Sequence, residues 1–241
     1  MTDNTDTAFL DSMRSLKINS SNPTLLERDF GALQLSAVSS DGGNWIGSIS
    51  GDNVDGVIQA EPRAEIGSYR LNLSKLYIPE GPEEKPALDP IDNSLSPANY
   101  PIIDLNVNSF RFVRKQLGHL QMRGEPVGDA WRLTNFELNH QGVSTSAEGQ
   151  WVNSTETGTI TSFDIETEID EAGGALQELD LGGFVSKGEG SLAANLNWIG
   201  APHEFDYSRL NGDFDLRVED GELVKIEPGT GKLLGLSLIH I

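Results

Sequence analysis

Cysteine is absent from the sequence. That excludes a disulfide framework and any thiolate metal centre, and it leaves redox chemistry silent about compartment. Long apolar runs are missing too: nothing approaches the ~18 consecutive apolar residues of a membrane-crossing helix. The N-terminal MTDNTDTAFLDSMRSL has neither a basic nor an apolar leader region, so the sequence as written is expected neither to span a membrane nor to export itself. Basic residues are scarce, 17 against 37 acids, for a formal charge of −20. A phosphate backbone is repelled by such a chain, and no run of Lys or Arg offers a local exception, which excludes nucleic acid as a partner. Aromatics make up only 7% of the residues, few for filling a thick core.

What is present is turn-forming and alternating. Hydrophobic residues are 37% of the 241, too many for a disordered polymer and rather few for a compact globule, and 26 glycines are spread among Asn, Ser, Thr and Asp. A thin, elongated β structure with one wet face fits this balance. Residues 1–16 form a polar lead-in, in which Phe9, Leu10, Met13 and Leu16 are spaced for a short amphipathic helix. Period-2 alternation then marks a first β unit over 17–78, with a hairpin around Asp41-Gly42-Gly43-Asn44 and strands near Val54–Ala60 and Ser68–Ile78. Residues 79–101 hold six of the eleven prolines, which remove ladder donors and mark a linker or edge loop.

A second β unit over 102–170 copies the first. Phe30-Gly31-Ala32-Leu33-Gln34-Leu35 matches Leu117-Gly118-His119-Leu120-Gln121-Met122, and Trp45 matches Trp131 after one gap. Gly67–Ile78 parallels Gly158–Ile169. Such tandem units suit a solenoid-like array in which each buries its apolar face by continuing its neighbour's sheet. The rhythm breaks only over 171–187, where Ala172, Ala175, Leu176 and Leu179 share a helical face that Gly182-Gly183 can end; a short helix and turn are predicted there. A terminal β unit occupies 188–236, and 237–241 is a divergent tail.

No catalytic, cofactor or metal constellation emerges. Histidines at 119, 140, 203 and 240 make none of the metal-gathering spacings. His203 beside Glu204 is equally explained by its turn position. Asp213 and Asp215 flank Phe214 on one side of a strand, which Asn211 and Arg217 continue as a solvated face. Gly229-Thr230-Gly231-Lys232 fails as a phosphate loop, because position 226 is Ile rather than Gly and Leu233 stands where Ser or Thr is required. No enzyme and no cofactor are expected.

The terminal unit carries the most specific signal. Gly190, Leu192, Leu196, Trp198, Gly200, Pro202 and Phe205 are followed by Leu210, Gly212, Phe214, Leu216, Val218, Asp220 and Gly221, then by KIEPGTGKLLGL. This order resembles the C-terminal end of the YhdP branch of the AsmA-like proteins, and more loosely the resemblance extends back to Leu16. It implies a large bacterial envelope protein, anchored in the inner membrane by a helix absent here, whose long β groove spans the periplasm and helps move phospholipid toward the outer membrane. Ser237-Leu238-Ile239-His240-Ile241 departs from the family pattern, so the sequence is expected to be a fragment lacking both the anchor and the terminal cap.

The fold expected is therefore mostly β: an elongated, twisted antiparallel groove of repeating units with one or two short helices. The negative charge disfavours broad adhesion to anionic headgroups, so lipid contact should be apolar and inside the groove. The candidate lining is Leu33, Leu35, Leu71, Leu73, Leu120, Met122, Leu133, Leu138, Ile165, Leu196, Trp198, Phe214 and Leu216. The partner implied is the acyl part of a phospholipid. Two alternatives stay open: periodicity alone is equally met by a closed β-sandwich, and a structural or adhesive β-solenoid scaffold of the envelope is the competing function.

Overall fold

Short alternating segments rich in Val, Ile and Leu, separated by Gly, Asn and Asp, have little choice but to pair edge to edge, since each exposes one apolar face it cannot bury alone. A computed structural model of the chain describes residues 13–25, 28–40, 43–62, 64, 66–81, 96–154, 158–170, 185–186, 188–204, 210–219 and 222–223. Its strands are β1 (Ser15–Ser20), β2 (Thr24–Leu25), β3 (Arg28–Asp29), β4 (Leu33–Ser39), β5 (Trp45–Gly51), β6 (Val54–Glu61), β7 (Ser68–Ile78) and β8 (Ile102–Phe112). They continue as β9 (Lys115–Val127), β10 (Ala130–His140), β11 (Val143–Ser154), β12 (Gly158–Ile169), β13 (Val185–Ser186), β14 (Glu189–Ile199), β15 (Asn211–Glu219) and β16 (Glu222–Leu223).

Twelve of them form one open sheet in the order β1-β4-β5-β6-β7-β8-β9-β10-β11-β12-β14-β15. The pairs β2–β3 and β13–β16 stand apart as two-stranded ribbons. The sheet does not close into a barrel, and its pairing is antiparallel except between β7 and β8. That single parallel pair coincides with the proline-rich segment: a parallel partner must start at the opposite end of the sheet, so residues 79–101 act as a crossover. Its last residues fold into a 3₁₀ turn, Pro97–Asn99, with Pro97 buried. A second 3₁₀ turn spans Pro202–Glu204, and these two are the only helical turns among the described residues. The helix predicted within 171–187 and the tail 237–241 lie outside them, as does most of the predicted lead-in.

The segments matched in sequence lie in two meanders of the same strand order, β4 to β7 and β9 to β12. Gly31 and Gly118, aligned in sequence, both adopt positive φ, 69° and 82°. Trp45 and Trp131 each stand at the start of the second strand of their meander.

Three irregularities keep the apolar set on one side along the longer strands. Register shifts fall between Asp55 and Gly56 against β7, between Val107 and Phe110 on β8, and between Leu133 and Asn135 on β10. Each inserts an extra residue, so parity changes: Leu71 and Leu73 are followed by Leu76, Val107 by Phe110, and Leu133 by Phe136 and Leu138 on the same face.

Candidate binding groove

Cross-strand register decides which side chains share a face, because residues directly opposite one another point the same way. One row can be followed through every strand of the sheet: Ile18, Leu35, Ile49, Gly56, Leu73, Val107, Leu120, Leu138, Thr145, Thr167, Leu192 and Leu216. At ~4.8 Å per strand this row is about 50 Å long. A parallel row runs Leu16, Ala37, Gly47, Ile58, Leu71, Leu105, Met122 and Phe136 from β1 to β10. Beyond the β10 irregularity, Ala147, Ile165, Ala194 and Phe214 carry an apolar row on to β15. A third passes through Tyr69, Ile103, Gly124, Leu133, Gly149, Phe163 and Leu196.

All thirteen residues named from the sequence fall on this face. Their surroundings differ. Val54, Leu73, Val107 and Leu120 form the best-buried cluster, with Leu33, Leu71, Met122 and Leu138 packed partly buried around it. Leu133 and Trp198 are buried, and Leu35, Ile165 and Leu196 are half-buried. Phe214 and Leu216 on the edge strand are open to solvent at 62% and 54%. Sequence reading missed Val107, the most buried apolar side chain of the cluster, along with Ile49, Leu105 and Phe136. The alternation of Ile103, Leu105 and Val107 was signal enough to find two of these, and Phe136 shares the parity of Leu138, which was named.

The opposite face is polar. Gln34, Ser36, Asn72, Asp104, Gln121, Glu148, Asp164, Glu166 and Asn195 point away from the apolar rows. His119 sits there, its Nε2 2.8 Å from Asn106 Oδ1, and Asp215 accepts a 2.6 Å ion pair from Arg217. A network joins Arg70 to Asp104 at 3.1 Å and Arg123 to Glu125 at 2.6 Å.

One end of the groove carries an aromatic wall. Tyr100, at the end of the crossover, meets Trp131 and Trp151 edge to face at 5.9 and 5.4 Å. Trp131 Nε1 donates to the Pro101 carbonyl at 2.9 Å, tying the crossover to β10. Gly124 faces the Trp131 ring so closely that any Cβ there would overlap it, which explains why β9 carries glycine at this point. Next to it, Trp198 Nε1 donates to Ala201 O at 3.1 Å, Thr161 Oγ1 donates to Gly200 O at 2.8 Å, and the Glu204 carboxylate accepts from the Ala201 N–H at 2.6 Å. Glu204 therefore serves the turn, and His203 beside it is exposed. Two polar interruptions mark the floor: Thr145 and Thr167, whose hydroxyls are 3.0 Å apart, and the buried Trp151 Nε1 and Thr159 Oγ1, which have no partner among the described residues.

At the other end of these strands, cations stack on an aromatic ring on each face of the sheet. Arg28 lies over the Phe112 ring, 5.6 Å from its centroid, and donates to the Pro79 carbonyl. Arg111 lies 4.3 Å over Tyr77, with Lys75 6.0 Å from the same ring. Among the described residues no three His, Cys, Asp or Glu side chains gather as metal ligands.

An open, mostly antiparallel sheet with one largely apolar face and a polar back defines an open-sheet β protein. The chain belongs to the YhdP protein family, whose profile matches residues 3–241, and the likeness to AsmA-like proteins is consistent with that membership. No curated protein and no solved structure is matched by the chain.

Proposed function

We propose that this chain is part of a non-enzymatic, bridge-like lipid conduit, in which the apolar groove shelters phospholipid acyl chains on their way between the bacterial inner and outer membranes. The observation that carries the proposal is the row of one residue per strand across twelve strands, aliphatic but for Gly56 and the Thr145–Thr167 pair. Water exposure costs an acyl chain about 0.8 kcal/mol per methylene, so ~15 methylenes need about 12 kcal/mol of shelter outside a bilayer. A discontinuous set of pockets would return that cost at every gap; a continuous floor does not. Membership of an envelope family supports the setting, and the lack of any catalytic constellation in the sequence supports transfer rather than chemistry.

Lipid extraction and mass spectrometry of the purified chain test the proposal directly. Bound phospholipid is expected, and Leu196→Glu is expected to remove most of it while the thermal midpoint falls only modestly, because Leu196 is half-buried. Leu120→Glu tests less, since at 4% exposure a charge there unfolds the cluster. A chain that carries no lipid, and whose lipid uptake is indifferent to Leu196→Glu, is instead a structural or adhesive scaffold.

A further inference from the structure

At the rim where β4 begins and β8 ends, the β2–β3 ribbon reaches back to the apolar face. β2 and β3 continue the β1–β4 hairpin without a slip: Ser20 faces Leu33, and four residues further along each strand Thr24 faces Asp29, with Leu25 facing Arg28. Between the two ladders the Phe30 N–H donates to the Pro23 carbonyl at 3.0 Å. The ribbon is therefore the outer part of one long hairpin, and a bend separates it from the sheet.

The bend is tightly tied. Gly31 adopts φ 69°, and a Cβ there would overlap the Asp52 carboxylate. Gly31 N–H donates to Asp29 Oδ1 at 2.8 Å, Ala32 N–H to Asp52 Oδ2 at 2.8 Å, and Asn53 Nδ2 to the Phe30 carbonyl at 3.1 Å. The turn between β5 and β6 thus holds the neck of the hairpin, where Phe30 is buried.

Beyond the neck the hold is slighter. Arg28 lies 5.6 Å over the Phe112 ring and donates to the Pro79 carbonyl, where β7 ends. Phe112 is two residues past Phe110, which packs against the central apolar cluster, so this contact is on the groove side. Four interstrand steps, ~19 Å along the sheet, separate β4 from β8. The five residues from Leu33 back to Arg28 span ~17 Å when extended, so the arginine meets Phe112 only if the hairpin lies across the ends of β5, β6 and β7. It buries little there: Thr24, Leu25 and Asp29 are exposed, Leu25 at 60%. A neck fixed by several bonds and a far end fixed by one side chain make a hinge and a latch, and such a segment opens at far lower cost than the sheet.

We propose that β2–β3 is a strap across the rim of the groove, hinged at Gly31 and latched by Arg28, and that its release admits acyl chains to the apolar face between β4 and β8. The assignment rests on the lipid reading above. Latched, the strap bars sideways entry and exit; released, it uncovers Ile78 and Phe112 at the edge of the floor.

Stopped-flow uptake of cis-parinaric acid, a fatty acid whose fluorescence rises in apolar surroundings, tests the strap in the purified chain. Arg28→Ala removes both latch contacts and is expected to raise the uptake rate about tenfold at an unchanged final amplitude. Arg28→Cys with Phe112→Cys should also be fast, and slower than the unaltered chain once a short bismaleimide joins the two thiols, in a sequence with no other cysteine. Thiol alkylation separates strap release from loss of fold: the thiol of Ile78→Cys should react faster when Arg28→Ala is added, while that of Val107→Cys, at a position 0% exposed, stays protected. If both thiols quicken, the sheet itself has loosened and the strap is overturned. An uptake rate indifferent to Arg28→Ala and to the cross-link overturns the strap and leaves the groove standing. No uptake by the unaltered chain or by any variant overturns the groove reading, and the strap's role with it.

Discussion

Single residues in this sheet matter chiefly where they let backbone and apolar face coexist. Gly124 makes room for the Trp131 ring, and Gly56 makes room for Leu73 in the central row. Val113 is the contrary case, a branched side chain where glycine or asparagine is expected. Replacing it should therefore show the strain directly. Val113→Gly is expected to stabilise the chain by about 1 kcal/mol, less whatever the freer unfolded glycine takes back, read as a higher urea midpoint at an unchanged slope. If the midpoint falls, Val113 is held by contacts that outweigh its backbone cost. Contacts distant in sequence are illegible beforehand: Arg28 and Phe112 are 84 positions apart by their numbers (112 − 28), and only the fold lays the guanidinium over the ring.

Strands were the most legible level, because alternation is local. Leu192, Ala194, Leu196 and Trp198 announce β14, and Gly212, Phe214 and Leu216 announce β15, directly from their spacing. The apolar face of the sheet was readable for the same reason, and Leu133 and Leu138 both lie on it although their parities differ. What joins them is the irregularity near Asn135, which no periodicity reveals. Nor does alternation say which strand lies beside which: the proline-rich segment, read as a linker or edge loop, joins two strands, β7 and β8, that pair in parallel within one continuous sheet. The Thr145–Thr167 pair is the element-scale feature open to measurement. Each hydroxyl satisfies the other at 3.0 Å, and Thr167 is 9% exposed, so removing one strands its partner on an apolar floor. Thr145→Val alone should cost about 1 kcal/mol, whereas Thr145→Val with Thr167→Val should be close to neutral, a coupling that a double-mutant cycle in urea would report. Strict additivity of the two changes would show that the hydroxyls do not depend on each other.

For the whole molecule the decisive contrast is between an apolar face that holds the sheet together and a polar face whose charges push it apart. The formal charge is −20, and on the polar face Glu148 stands directly opposite Asp164, and Glu189 opposite Glu219. Like charges paired across strands destabilise a sheet by a few tenths of a kcal/mol to about 1 kcal/mol each, and an open sheet has no second layer to offset them. Unfolding spreads the same acids along an expanded chain and relieves the repulsion, so the folded form gains most from screening. The thermal midpoint should accordingly rise as NaCl increases from about 10 mM to about 300 mM, over which the Debye length shrinks from about 30 Å to about 6 Å. Glu148→Lys should produce part of that rise at low salt, through a new pair with Asp164, and less of it at high salt. The salt response separates the two faces as well: screening acts on the polar back, while acyl-chain binding to the apolar rows should be nearly indifferent to it. A midpoint that falls with salt would mean that the attractive pairs, Arg70–Asp104 and Arg123–Glu125 among them, outweigh the repulsion, and that the net charge is not what limits this sheet.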